Sequence, residues 1–127
     1  MASPTYLSLY EDPGKELELE IIKKRSGLSD DELKIDEKKG FTGSLADPIN
    51  RYIEILHLIR NSIDNGQQLS HRPGISEAVS FAMQINGGFN SHVALRTTLT
   101  DKYYKKDERD WVIQQIRIAF DPNFVWP

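Results

Sequence analysis

The residue types that could bind a metal ion or transfer protons are scattered along this sequence. The three histidines, His57, His71 and His92, are not paired at metal-ligand spacing with each other or with a suitably placed carboxylate. His57 lies between apolar neighbours, which indicates a structural or surface role. Cysteine is absent, so disulfides and thiolate metal ligands are excluded. The sequence therefore predicts no metal site.

Three further motifs suggest chemistry, but each has a simpler structural interpretation. The adjacent carboxylates at 30–32 and 107–108 would point in different directions on a helix, which favours a role at helix starts. Gly14-Lys15 lacks the earlier glycine and the following hydroxyl of a phosphate-binding loop. Residues 103–106, Tyr-Tyr-Lys-Lys, could stack on nucleic acid, but a helix end explains them better. We predict no catalytic residues, and a small enzyme with an unrecognised site is the weakest hypothesis.

Composition points to one globular domain spanning residues 1–127. Hydrophobic residues make up 39% and charged residues 28%, unlike a disordered chain. Sixteen basic and nineteen acidic residues give a formal charge of −3, so neither nucleic acid nor a membrane surface is expected as a partner. No apolar run reaches the roughly 18 residues of a membrane span, and the N-terminus lacks signal-peptide features. We expect a cytoplasmic protein.

The N-terminal region predicts a strand followed by a helix. Residues 5–10 alternate and are rich in β-forming residues, but a lone strand needs a partner, and no second convincing strand follows. We therefore interpret residues 5–10 as the remnant of a preceding core domain. Residues 12–14, Asp-Pro-Gly, break the strand. Residues 15–25 alternate as in a strand, yet their composition and acidic-to-basic order favour a helix.

The next segment, residues 26–46, combines glycines with a cluster of charges. A short helix could begin after Ser29, with Glu32 completing a capping box. Residues 38–40 are typical of a loop, and we expect this to be the most flexible part of the chain.

Four further helices complete the predicted fold, which is mainly α: a four- to five-helix bundle with a short N-terminal strand. Asp47-Pro48 predicts the start of the longest helix, and Asn65-Gly66 predicts its end. Its apolar face recurs at three and four residues and comprises Ile49, Tyr52, Ile53, Leu56, Ile59 and Ile63. The others are expected near 75–85, 91–104 and 107–120, the last capped by Asp107.

The C-terminal tail, residues 121–127, contains two large apolar side chains. Phe124 and Trp126 either fold back on the core or dock on something else. The helical part of the domain is thus expected to span residues 15–120.

The order of these features resembles a known arrangement. The strand Tyr6-Leu-Ser-Leu runs into Glu11-Asp-Pro and then into the acidic-to-basic helix 16–25. This is similar to the junction between the nucleotide-binding core and the helical lid in AAA+ ATPases of the MoxR group. The resemblance covers about residues 5–116, while the insert at 34–44 and the aromatic tail depart from the family pattern. Its remaining matching segments are 50–60, 69–82, 94–99 and 105–107.

The resemblance implies a lid domain that senses nucleotide and transmits ATP hydrolysis to the remodelling or chaperone-like activity of a parent protein. Walker A and Walker B would lie on an upstream AAA+ core, so this chain would be a fragment of an ATPase and no enzyme on its own. The parent would use ATP and Mg²⁺, assemble as a ring homo-oligomer and act on an unknown protein client. The isolated domain would hold no cofactor. The alternative is a free-standing helical protein-interaction domain without nucleotide binding.

Two sites follow from the same resemblance. The sensor 2 arginine of the lid, which reaches the γ-phosphate, matches Arg72 best, although in many relatives it falls where this sequence has Ser76. A guanidinium near a helix start suits phosphate oxygens. Asp12 and Pro13 would form the hinge between core and lid. The alternative for Arg72 is a solvent-facing residue ahead of a helix.

Overall fold

The computed structural model describes residues 16–126, and within them the chain is a helical bundle with one small hairpin. The predicted strand at 5–10 and the hinge residues Asp12 and Pro13 lie outside the described residues. The mainly α fold with five helices is confirmed. The elements are α1 (residues 16–25), β1 (Ile35–Asp36), β2 (Gly40–Phe41), α2 (Ala46–Asp64), α3 (Ile75–Asn86), α4 (Ser91–Thr98), a 3₁₀ turn (Thr100–Lys102) and α5 (Lys106–Ala119).

Helix α2 is the central element because its apolar face is buried along its length. It packs against α3 and α5, as expected for a 3.6-residue apolar repeat. Tyr52 joins three helices: its ring stacks on Phe81 of α3 with centroids 4.2 Å apart, and its hydroxyl donates to Thr98 Oγ1 at 2.9 Å. Leu56 and Ala82 are also fully buried. The apolar faces of α2 and α3 therefore pack against each other.

The segment from 35 to 41 is an antiparallel hairpin. Lys38 and Lys39 of the predicted loop lie in its turn, but Gly40 begins β2, and the expectation that no second strand follows was wrong. Asp36 accepts hydrogen bonds from the N–H groups of Lys38 and Lys39, which fixes the turn. Gly40 has a φ of 83°, a conformation that L side chains rarely adopt. Asn50 on α2 both accepts from and donates to the backbone of Phe41, which extends the pairing of the short strand.

Local capping differs from the prediction at three positions. Ser29 and Glu32 do exchange capping hydrogen bonds, but they close a turn and no helix follows. Helix α2 begins at Ala46, so Asp47 lies in its first turn and pairs with Arg51. Helix α5 begins at Lys106, so Asp107 is not its cap. Prolines and acidic residues suit several positions of a first turn, so they locate a helix start only to within a residue or two.

The C-terminal tail folds back on the bundle. Phe124 is fully buried and meets the ring of His92 edge-on at 5.1 Å. Arg117 donates to the Phe124 carbonyl, and the indole N–H of Trp126 donates to Thr100 Oγ1 at 3.0 Å. No helix in the described part of the chain combines the length and the apolar character that crossing a membrane requires.

Candidate functional site

The loop between α2 and α3 presents Arg72 at the surface. Its Nη1 donates to Asp64 Oδ1 at 2.8 Å and its Nη2 to Oδ2 at 3.5 Å. Both side chains are about half exposed, at 49% and 46%. Asp64 is the last residue of α2, where a negative charge opposes the helix dipole, so Arg72 compensates it.

Two buried side chains hold the same loop in place: Glu108 on α5 and Tyr103, which follows the 3₁₀ turn. Glu108 is buried and accepts hydrogen bonds from both the backbone N–H and the hydroxyl of Ser70. The buried hydroxyl of Tyr103 donates to the His71 carbonyl at 3.0 Å. Burial and the nearby carboxylates of Glu77 and Glu108 raise the pKa of Tyr103, which therefore remains a donor at neutral pH.

Glu77 caps the start of α3 and ties the loop to it. Its Oε2 accepts from the Gly74 N–H at 2.9 Å and from the Ser76 hydroxyl at 3.0 Å, and its Oε1 lies 2.9 Å from His71 Nε2. Burial acts to raise the pKa of Glu77, but these hydrogen bonds outweigh it and keep the pKa below its usual value. The carboxylate therefore stays charged and occupies the helix N-terminus.

The two candidates for sensor 2 have different surroundings. Arg72 binds Asp64, whereas Ser76 donates to Glu77, and no hydrogen bond joins the two candidates. Ser76 lines a polar cleft of about 230 Å³ between α3 and α4. That cleft also contains the hydroxyls of Ser80 and Thr97. Glu77 already fills the α3 N-terminus, so the cations at this site are Arg72, on the loop, and Lys102, which lines the cleft.

A larger cleft of about 370 Å³ lies between α1, the hairpin and α2, and His57 is among its lining residues. His57 Nε2 lies 3.0 Å from Glu18 Oε2, and Arg60 binds both oxygens of the same carboxylate. Glu18 is buried on α1, so this cluster joins α1 to α2. The structural interpretation of His57 is therefore confirmed.

Carboxylate partners accompany the other histidines as well. His71 pairs with Glu77, and His92 Nε2 lies 3.0 Å from Asp121 Oδ2. Within residues 16–126 no group of three or more histidine, cysteine or carboxylate side chains is placed to hold a metal ion.

The sequence-based search did not assign the two carboxylates to this site: it left Glu77 out and gave Glu108 only a role at a helix start. Glu77 could have been found, because it lies three residues after Gly74, the residue that precedes α3, as the acidic residue of a capping box does. Glu108 carries no comparable signal, since its partner Ser70 is 38 residues away in the chain. In comparisons with known proteins, no family model, no curated protein and no solved structure gives a significant match to this chain.

Proposed function

We propose that this chain is the helical lid of a MoxR-type AAA+ ATPase and that Arg72 is its nucleotide-sensing arginine. The observation that carries the proposal is the way Arg72 is presented. Its loop is tied down by two buried carboxylates, Glu77 and Glu108, while its own guanidinium is half exposed and bound only to a half-exposed carboxylate. A residue that senses a phosphate group needs a firmly held backbone and a charged side chain that can exchange its partner.

In the proposed mechanism, Arg72 exchanges its partner Asp64 for the γ-phosphate of the nucleotide. A guanidinium forms paired hydrogen bonds equally well with a carboxylate and with phosphate oxygens. A γ-phosphate approaching Arg72 would replace Asp64, and the helices that anchor the loop would follow the arginine as a body. Hydrolysis would remove the phosphate and return Arg72 to Asp64. In this way the state of the nucleotide is converted into a position of the lid.

The remaining parts of the proposal concern the parent protein. ATP and its Mg²⁺ would be held mainly by an upstream AAA+ core, with Arg72 and, in second place, Ser76 contributed by this chain. A cytoplasmic location, a ring of identical subunits and a protein client belong to the same proposal. Its first test is the reading frame before residue 5, which must encode a phosphate-binding loop.

The second test is the ATPase rate of the intact parent. Arg72→Ala should leave the fold intact and lower turnover roughly 10- to 100-fold, the equivalent of one charged hydrogen bond. Arg96→Ala is a matched control, because Arg96 is 45% exposed and pairs with a 41% exposed Asp101. Full activity of Arg72→Ala together with a loss in Ser76→Ala would place the sensor at Ser76 and disprove the assignment of Arg72.

A helical protein-interaction domain is the second candidate function. It is favoured by two large apolar side chains at the corner between α3 and α4, Met83 and Phe89, which are 53% and 57% exposed. Large exposed apolar surfaces often mark a protein contact. An upstream reading frame without a phosphate-binding loop would leave this candidate as the better one.

A further inference from the structure

The cleft of about 230 Å³ between α3 and α4 is lined by polar side chains alone. Its lining comprises Ser76, Glu77, Ser80 and Gln84 of α3, the two threonines at the end of α4, and Lys102 of the 3₁₀ turn. Sites for drug-sized molecules have volumes of roughly 300–1,000 Å³ and mostly apolar linings. This cleft, which we call the polar cleft, is therefore suited to a small and strongly polar ligand.

Hydrogen bonds within the protein hold the walls of the polar cleft in place. Thr97 Oγ1 donates to Gln84 Oε1 at 2.9 Å, which joins α4 to α3. Ser76 Oγ donates to Glu77 Oε2 at 3.0 Å, and the buried hydroxyl of Thr98 donates within α4 at 2.6 Å. The polar cleft is thus bounded by fixed groups, as ligand sites formed in advance of binding usually are.

Three hydrogen-bond donors of the polar cleft are available to a ligand. Lys102 is exposed and forms no ion pair with a side chain of residues 16–126. The hydroxyl of Ser80 is exposed and can donate or accept. Gln84 accepts from Thr97 through its oxygen, so its NH₂ group can donate to a ligand. A matching ligand must carry acceptor atoms, and the ammonium group of Lys102 favours an anion among them.

Glu77 limits the ligand to a single negative charge. Its buried carboxylate already accepts hydrogen bonds from Gly74 and Ser76, whereas Lys102 has no carboxylate partner among the described residues. A second anionic group would be repelled by Glu77 and would find no second cation in the lining. A phosphate ester carries a charge of about −1.5 to −2 at neutral pH, but a carboxylate carries only one. The polar cleft therefore fits a monocarboxylate better than a phosphate ester.

We propose that the polar cleft binds a small hydroxy acid, that is, a monocarboxylate that carries hydroxyl groups. The carboxylate pairs with Lys102 and accepts from Ser80, and the hydroxyl groups bond to Gln84 and Thr97. Hydroxyl groups both donate and accept, so they complement a lining of hydroxyl and amide groups. The charge pair supplies most of the affinity, and the hydroxyl contacts select against acids that lack hydroxyl groups. The proposal goes beyond nucleotide sensing and does not depend on Arg72.

The test follows the amide chemical shifts of the full chain by two-dimensional NMR while glycerate is added. We expect saturable shifts confined to residues 76–84 and 97–102, with a dissociation constant on the order of 1 mM for a ligand of about seven non-hydrogen atoms. Lys102→Gln should weaken binding about tenfold, the size of one charged hydrogen bond. Lys105→Gln is the matched control and should bind normally, because Lys105 is also exposed but does not line the cleft. Ser80→Ala should weaken binding about threefold, and it provides a second variant if Lys102→Gln fails to fold.

Each contrary outcome overturns the proposal. Absence of saturable shifts at glycerate concentrations far above the expected dissociation constant does so directly, as do equal losses in Lys102→Gln and Lys105→Gln. Glycerol that binds as tightly as glycerate would show that the carboxylate plays no part. Propionate that binds as tightly would show the same for the hydroxyl groups. Tighter binding of ATP at the same residues would identify the cleft as part of a nucleotide site instead.

Discussion

Arg60, near the end of α2, and Arg72, in the loop after α2, form the same kind of ion pair in different surroundings. Arg60 binds both oxygens of Glu18, and the two side chains are only 18% and 10% exposed. Arg72 binds both oxygens of Asp64, and those side chains are 49% and 46% exposed. The hydrogen-bond pattern is shared, so burial is the variable that separates the two pairs.

The difference determines what each arginine can do. Moving Arg60 away would leave the carboxylate of Glu18 buried beside only His57, which is costly, so this pair locks α1 onto α2. Moving Arg72 away returns Asp64 to water, where an exposed pair contributes about 0–1 kcal/mol. An arginine with so small a penalty for leaving its partner can exchange it for another anion, and the Arg72 proposal depends on that property.

The largest expected effect concerns the helix on which both pairs depend. Arg60 and Asp64 are both on α2, so their positions require α2 to be packed firmly. Leu56 is buried in that core, and Leu56→Ala should cost about 2–5 kcal/mol of unfolding free energy by leaving a cavity. Chemical denaturation measures this directly.

Glu54 provides the matched control, since it lies on the exposed side of the same helix. Glu54→Ala should change stability by no more than about 0.5 kcal/mol. Equal losses for the two variants would show that the buried face of α2 is misassigned, and the comparison of the two ion pairs would lose its framework.

The next effect is the pH dependence expected from the buried pair. Burial acts to raise the pKa of Glu18, but hydrogen bonds from His57 and Arg60 and the charge of Arg60 lower it to about 2. A carboxyl whose pKa is lower in the folded state stabilises the fold above its unfolded pKa of about 4.5, and this contribution disappears as the pH falls towards 2. The expected loss is roughly 3 kcal/mol.

Unfolding free energies measured at about pH 6 and about pH 3 test this, with Glu18→Gln as the comparison, and roughly 2 kcal/mol of the loss should fall in that interval. Other carboxylates, including Glu77, also have lowered pKa values and will contribute to the wild-type slope. Glu18→Gln should therefore flatten the pH dependence without abolishing it. A slope as steep as that of the wild type would show that the Glu18–Arg60 pair does not behave as a buried pair.

The helices were predictable because their signal is local. The apolar face of α2 repeats over about four turns, and only one packing partner needs to be assumed for that face to be buried. The hairpin at 35–41 was not predictable in the same way, since strands of two residues show no periodicity. Asn50, nine residues after Phe41, supports the hairpin by pairing with the Phe41 backbone.

The candidate site shows the same division between local and distant contacts. Arg72 was named through the family resemblance, as the arginine that stands just before a helix start. Its ion partner Asp64 and the anchor Glu108 could not be named in this way, since they belong to helices whose placement around the loop is set by the core. The sequence also suggested that the α3 dipole would assist Arg72, but Glu77 already occupies that helix N-terminus.

The smallest expected change in stability tests the comparison between the buried and the exposed ion pair. Arg72→Ala should change the unfolding free energy by only about 0–1 kcal/mol, because both members of its pair are half exposed. Arg60→Ala should cost about 1.5–3 kcal/mol, because it removes a charged hydrogen bond from the buried carboxylate of Glu18. Urea denaturation of the two variants at neutral pH gives both values. If Arg72→Ala proved as destabilising as Arg60→Ala, then Arg72 would be fixed by the fold. Its exchange from Asp64 to a phosphate would cost too much for a sensor, and Arg72 would have to be assigned a structural role.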